Sequence, residues 1–150
     1  MLPESLCLLA GTYGNAGRAE EGLRLVADAL RIVEKTGERK FEAELYRLQG
    51  ELLLSQAEAK AEVKVEVEAD GCYDGAERCF ERALEVARRQ RAKSWELRAA
   101  TSLSRLWQAQ GSVGKREQAR KLLGETYAWF SEGFDTADLV EAKALLDALA

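Results

Sequence analysis

The stretch RLVADALRIVEK, residues 24–35, has a counterpart 54 residues further on, RCFERALEVARR at 78–89. Arg24, Val26, Ala29, Leu30, Ile32 and Lys35 fall on Arg78, Phe80, Ala83, Leu84, Val86 and Arg89. The apolar positions in both copies recur at three- and four-residue intervals, the period of a helix with one buried face. The same offset continues into the next segment, where it sets Phe41 and Glu42 on Trp95 and Glu96, and Leu52 on Leu106. An offset that survives two helices and the turn between them marks an internal repeat.

A second offset, of 40 residues, places Glu4, Leu8 and Ala10 on Glu44, Leu48 and Gly50. Taken together, the two offsets pair Tyr13 with Trp107 and Gly17 with Gly111. The repeating unit is therefore a helix pair with a period near 40 residues, and the middle copy carries about fourteen more. Each copy shows the same ordering: a small residue midway along its first helix, then alanine or an aromatic on its second. Ala10, Tyr13, Gly17, Val26 and Ala29 carry it in the first copy, and Gly50, Ala76, Phe80 and Ala83 in the second. Ser104, Trp107, Gly111, Ala119 and Leu123 carry it in the third. Small residues let two helix axes approach, and large ones fill the space between them.

This ordering resembles the tetratricopeptide repeat (TPR). The period exceeds the usual value of about 34 residues, which implies helices roughly one turn longer. Such long-helix repeats are similar to those of kinesin light chains and bacterial ATPase-type transcription regulators. The expected fold is all-α, a right-handed TPR-like superhelix of about seven antiparallel helices, three pairs and a C-terminal cap. The whole chain, 1–150, reads as one domain. Its repeats cover 3–36, 39–90 with an insert at 56–71, and 93–131, and the capping helix covers 137–149. Helices are expected at 3–15, 18–36, 39–57, 73–90, 93–110, 116–131 and 137–149. TGER (36–39), QRAK (90–93) and QGSVGK (110–115) read as turns, with Asp135 or Thr136 as N-cap of the last helix. In that helix Leu139, Leu145, Leu146 and Leu149 share a side.

The insert contains AEVKVEVEADG (61–71), where Val63, Val65 and Val67 alternate with charge in the period of a half-buried strand. QAEAKAE before it is good helix material, whereas β-branched valine is not. The expected conformation is a helical extension that gives way to a flexible or extended loop. A strand pairing with another copy or a partner is the alternative, since a lone strand leaves both edges open.

Net charge −4 and a pI near 5.1 speak against a nucleic-acid binder, which needs a basic surface. The basic run RRQRAK (88–93) sits where it would complement a helix dipole. MLPESLCLLAG lacks the basic start of a signal peptide and is too short to cross a bilayer, so no membrane partner is expected. Cys7, Cys72 and Cys79 are at no metal spacing, and they suit reduced thiols in the cytoplasm. No histidine is present, which removes the commonest general base and metal ligand. GTYGNAG (11–17) and GSVGK (111–115) are glycine-rich without a dinucleotide or phosphate-loop spacing, and both read as turns. No catalytic residue, cofactor or metal is expected. An enzyme without histidine and a nucleic-acid-binding helical domain are the alternatives, the latter to be recognised by strongly salt-dependent DNA affinity.

RQRAKSWELRAATSLSRLW (89–107) and YAWFSEGFDTADLVEAKALL (127–146) resemble the C-terminal end of large bacterial signalling proteins. Those proteins join an adenylate or guanylate cyclase domain, an AAA-like ATPase module and a long TPR array. No cyclase or nucleotide-binding residue of that family stands in this chain. The resemblance implies a sensing or docking module that serves a catalytic partner, and a protein or peptide ligand, including neighbouring domains of the same polypeptide. It also implies that the first helix of each pair lines a concave groove. Groove candidates are then Glu4, Cys7, Gly11 and Asn15; Glu44, Arg47 and Glu51; and Arg98, Thr101, Arg105 and Gln108. Arg98 and Arg105 lie two turns apart on one face, and with Arg47 could receive a carboxylate or acidic peptide. The simpler expectation is that Glu44 and Glu51 already pair with Arg47. Cys7 and Gly11 do not supply the lysine and asparagine of a chaperone-type carboxylate clamp. The apolar residues Leu2, Leu6, Leu8, Leu9 and Tyr13 of the first helix lack a polar outer face. That predicts a homodimer through residues 1–36, or a mobile first helix pair.

Overall fold

The computed structural model describes residues 3–15, 17–63 and 66–150. Its elements are α1 (Pro3–Asn15), α2 (Ala19–Thr36), α3 (Glu42–Glu62), α4 (Glu66–Arg89), α5 (Lys93–Gln110), α6 (Val113–Ala128) and α7 (Ala137–Leu149). The chain is all-α, with seven helices and no strand among the described residues.

Local chemistry explains most boundaries. Glu20 and Glu21 in the first turn of α2 complement its positive end. Gly37 and Gly111 close α2 and α5 in the left-handed region, at φ 73° each, which glycine adopts without a Cβ penalty. Their N–H groups donate to Val33 O and Gln108 O. Ser112 is the N-cap of α6, its hydroxyl accepting from the Lys115 N–H at 3.2 Å. Thr136 caps α7 by position, and its hydroxyl donates instead to Gly133 O at 2.7 Å.

The insert follows expectation in part. Helix α3 extends to Glu62, the expected helical extension, but α4 already begins at Glu66 instead of 73, so the described part of the insert, apart from the turn at Val63, lengthens two helices. Glu66–Gly71 are helical, and Val63 is an exposed turn residue. Lys64 and Val65 lie outside the described residues. The reason is visible in the burial pattern: Ala69, Cys72, Ala76, Phe80 and Ala83 are all buried. They continue one three- and four-residue stripe backwards from the repeat, and a shared buried face outweighs the weak β preference of valine. Smaller corrections follow the same logic. Helix α3 starts at Glu42, not 39, and α6 spans 113–128, not 116–131. Of GTYGNAG, residues 11–15 belong to α1, and the turn is confined to its end.

The helices form two compact units, Met1–Ala83 and Leu84–Ala150, and α4 begins in the first and ends in the second. In the first unit α1 packs on α2 and α3, and α2 on α3. Ala10, Val26, Ala29, Val33, Leu45 and Leu52 are buried together there. A Cβ added at Gly22 would come 3.2 Å from Ala10 O, so α1 and α2 cross at backbone distance. Gly50 of α3 lies buried against the ring of Phe80 on α4, which has no exposed surface. In the second unit α5 packs on α6 and α7, and α6 on α7. Ser104 Oγ donates to Ala119 O at 3.4 Å, again a small residue of a first helix against its following helix. Leu139, Ala142, Leu145 and Leu149 of α7 are buried. Arg116 donates to the carbonyls of Ala148, Leu149 and Ala150, satisfying the open end of α7.

Candidate functional site

In the first unit, Glu44, Arg47 and Glu51 occupy consecutive turns of α3 and interact with one another. Arg47 Nη2 lies 2.7 Å from Glu44 Oε1, Arg47 Nε donates to Glu44 Oε2 at 2.8 Å, and Arg47 Nη1 is 3.5 Å from Glu51. Glu44 is buried and Arg47 nearly so. Burial works against the Arg47 charge, but the hydrogen bond with Glu44 and the charges of Glu44 and Glu51 outweigh it and raise its pKa. A two-toothed guanidinium–carboxylate pair shielded from water is a strong local contact. This trio is thus internally compensated. Cys7 is buried beside that core, Gly11 is half-buried, and the side chains of Glu4 and Asn15 lie outside the described residues.

In the second unit, Arg98, Thr101, Arg105 and Gln108 line up along α5. Thr101 is buried, its hydroxyl donating to Leu97 O at 2.8 Å, so it faces the helix interior rather than a ligand. Gln108 is exposed. Arg98 lies 3.6 Å from Asp138 and Arg105 3.7 Å from Glu141, both carboxylates being supplied by α7. The two arginines therefore do share a face, and α7 meets that face with two acids. These pairs are half-exposed or exposed, and surface ion pairs of this kind are worth about 0–1 kcal/mol.

A second cluster, invisible as a site in the sequence, lies where α4 ends and α5 begins. A cleft of about 630 Å³ is lined by Arg88, Arg91, Lys93, Glu96 and Trp129. The buried Glu96 accepts from Arg88 Nε at 3.2 Å and lies 3.1 Å from Lys93 Nζ. Lys93 Nζ is also 5.4 Å from the centroid of the Trp129 ring. Arg91 closes α4 at φ 55°, an uncommon conformation for a residue with a side chain. The basic run 88–93 gave a signal for charge here, but nothing in the sequence ties Glu96 or Trp129 to it.

Comparison with protein-family models, characterised proteins and solved structures returns no match. No described helix is long and apolar enough to cross a membrane, and the described residues hold no group of three or more metal-ligating side chains.

Proposed function

We propose that the chain is a protein–protein interaction scaffold, built as a right-handed TPR-like superhelix and serving as the regulatory or sensing module of a larger signalling protein. The observation that carries the reading is the recurrence of one packing device. Ala10 against Gly22, Gly50 against Phe80, and Ser104 against Ala119 each set a small residue of a first helix at close range to the following helix. The first-helix members Ala10, Gly50 and Ser104 stand at the 40- and 54-residue offsets of the repeat, and three close helix-pair contacts so placed support a solenoid, whose use is a long surface for partners.

The face most suited to a partner is that of Arg98 and Arg105. Asp138 and Glu141 sit on it at 3.6 and 3.7 Å, as an acidic segment of a partner would. Because such exposed pairs are weak, a partner's acids can take their place at little cost. The Glu44–Arg47–Glu51 trio is less available, being buried and saturated.

The test is affinity capture with the wild-type chain and with Arg98→Glu/Arg105→Glu, including the neighbouring domains of the native polypeptide among the baits' candidates. Each captured protein is then purified and titrated against both chains. The reading expects at least one direct complex whose affinity falls about tenfold or more on charge reversal. A set of captured proteins that bind neither chain directly, or both equally, would remove it.

A further inference from the structure

The cleft at the α4–α5 junction has three properties that converge on one kind of ligand. Its volume, about 630 Å³, is within the usual range of small-molecule sites, roughly 300–1,000 Å³. Its walls carry Arg88, Arg91 and Lys93 against the single acid Glu96, so it is cationic on a chain of net charge −4. Arg91 is exposed and makes no ion pair among the described residues, while Arg88 engages Glu96 through Nε and keeps its terminal nitrogens for another anion.

The second property is an open aromatic wall. Trp129 is 60% exposed, an unusual state for so large an apolar side chain. Phe130 meets it edge-on at 5.1 Å, holding the indole while leaving it accessible. The third is a buried acceptor held by one movable lysine. Glu96 is only 6% exposed, yet its Oε2 receives no hydrogen bond among the described residues. The Lys93 ammonium, 3.1 Å away, holds it as an ion pair alone. Once Lys93 turns to another anion, this buried carboxylate oxygen needs a donor, and one from outside the chain can supply it.

We propose that this cleft binds a nucleoside diphosphate whose base carries an exocyclic amine. The phosphates lie among Arg88, Arg91 and Lys93, the base stacks on Trp129, and the amine donates to Glu96 Oε2. Each contact alone is generic, since guanidinium groups also take carboxylates and indole takes any flat ring. Anion, flat ring and donor are needed together, within the reach of one lysine head group. Lys93 is the part that moves. It covers the Trp129 ring at 5.4 Å and stands beside Glu96 Oε2, and swinging its half-exposed side chain towards the phosphates uncovers both. The incoming phosphate charge replaces the carboxylate as its partner.

The full chain is titrated with ADP, CDP, UDP and sodium pyrophosphate by calorimetry, with tryptophan emission followed in parallel. ADP should bind saturably with one site per chain and quench emission. Pyrophosphate, which cannot stack, should bind about tenfold more weakly and leave emission unchanged. CDP should exceed UDP by roughly threefold to tenfold, because uracil has a carbonyl where cytosine has the amine. Arg91→Ala should weaken ADP about tenfold, the loss of a charge-assisted phosphate contact, with an unchanged melting midpoint because its side chain is exposed. Should Arg91→Ala not fold, Trp129→Leu serves instead: it should abolish the quench and reduce ADP to the affinity of pyrophosphate. No saturation by millimolar ADP, equal affinity for ADP and pyrophosphate, equal affinity for CDP and UDP, or ADP binding untouched by these variants would each overturn the proposal.

Discussion

Replacing Gly50 by alanine should destabilise the protein, although alanine is the better helix former. A Cβ built at Gly50 would lie 2.7 Å from Phe80 Cδ1 and 2.9 Å from Cζ, and closer still to Cε1. Carbon atoms pack comfortably at about 3.5–4.0 Å, so the ring must retreat by roughly an ångström. Phe80 has no exposed surface, so in a close-packed interior any retreat displaces its own neighbours. Overpacking of this kind costs about 1–3 kcal/mol, and three ring atoms in conflict place Gly50→Ala in the upper half of that range. The gain in helix propensity returns about 1 kcal/mol, leaving a net loss of about 1–2 kcal/mol. For a chain of this size that is a fall of roughly 2–8 °C in thermal unfolding followed by circular dichroism. Gly71, an exposed helical glycine whose Cβ would meet nothing within 4 Å, is the control. Gly71→Ala should raise stability by about 0.5–1 kcal/mol. Phe80→Leu removes the conflicting ring, so Gly50→Ala made in that background should become neutral or stabilising, with a coupling of about 2 kcal/mol. A Gly50→Ala chain that melts higher than wild type, or a cycle with no coupling, would refute the close approach of α3 and α4.

Arg47→Met should cost about 2–4 kcal/mol in urea unfolding, since it strands the buried Glu44 carboxylate, and adding Glu44→Gln should recover part of the loss. Cys79 should alkylate with iodoacetamide at pH 8 about a hundredfold more slowly than in the unfolded chain. Burial pushes its thiol up to about 11 from 9.0, outweighing the pull of Arg78, so thiolate is scarce until the pH passes that value. Rates equal to those in urea would contradict that environment. Arg116→Ala should cost about 1 kcal/mol and speed hydrogen exchange at the last turn of α7, whose carbonyls it holds. Leu8 and Leu9 are 72% and 40% exposed on α1, so light scattering should detect a concentration-dependent dimer that Leu8→Glu/Leu9→Glu removes. A wild-type chain that stays monomeric at high concentration would contradict self-association through this helix.

The sequence by itself determined the all-α class, the number of helices and most of their ends, because periodic apolar spacing and caps are local signals. It also marked Gly50 and Ala83 as contact positions, since only a small residue recurs where two helices touch. Both are buried, and Phe80 fills the space Gly50 leaves. The insert was harder to read. Valine alternation at 63–67 is a real but weak local preference, and the decision came from Ala69 and Cys72, whose burial extends the stripe of Phe80 and Ala83 back into α4. Charges were the least legible. Nothing in the spacing of Arg98 and Arg105 shows that α7 brings Asp138 and Glu141 to them, because ion pairs between helices depend on tertiary contact. For the same reason Trp129 could not be placed beside Lys93 and Glu96 until the fold had brought two distant segments of the chain together around one cleft.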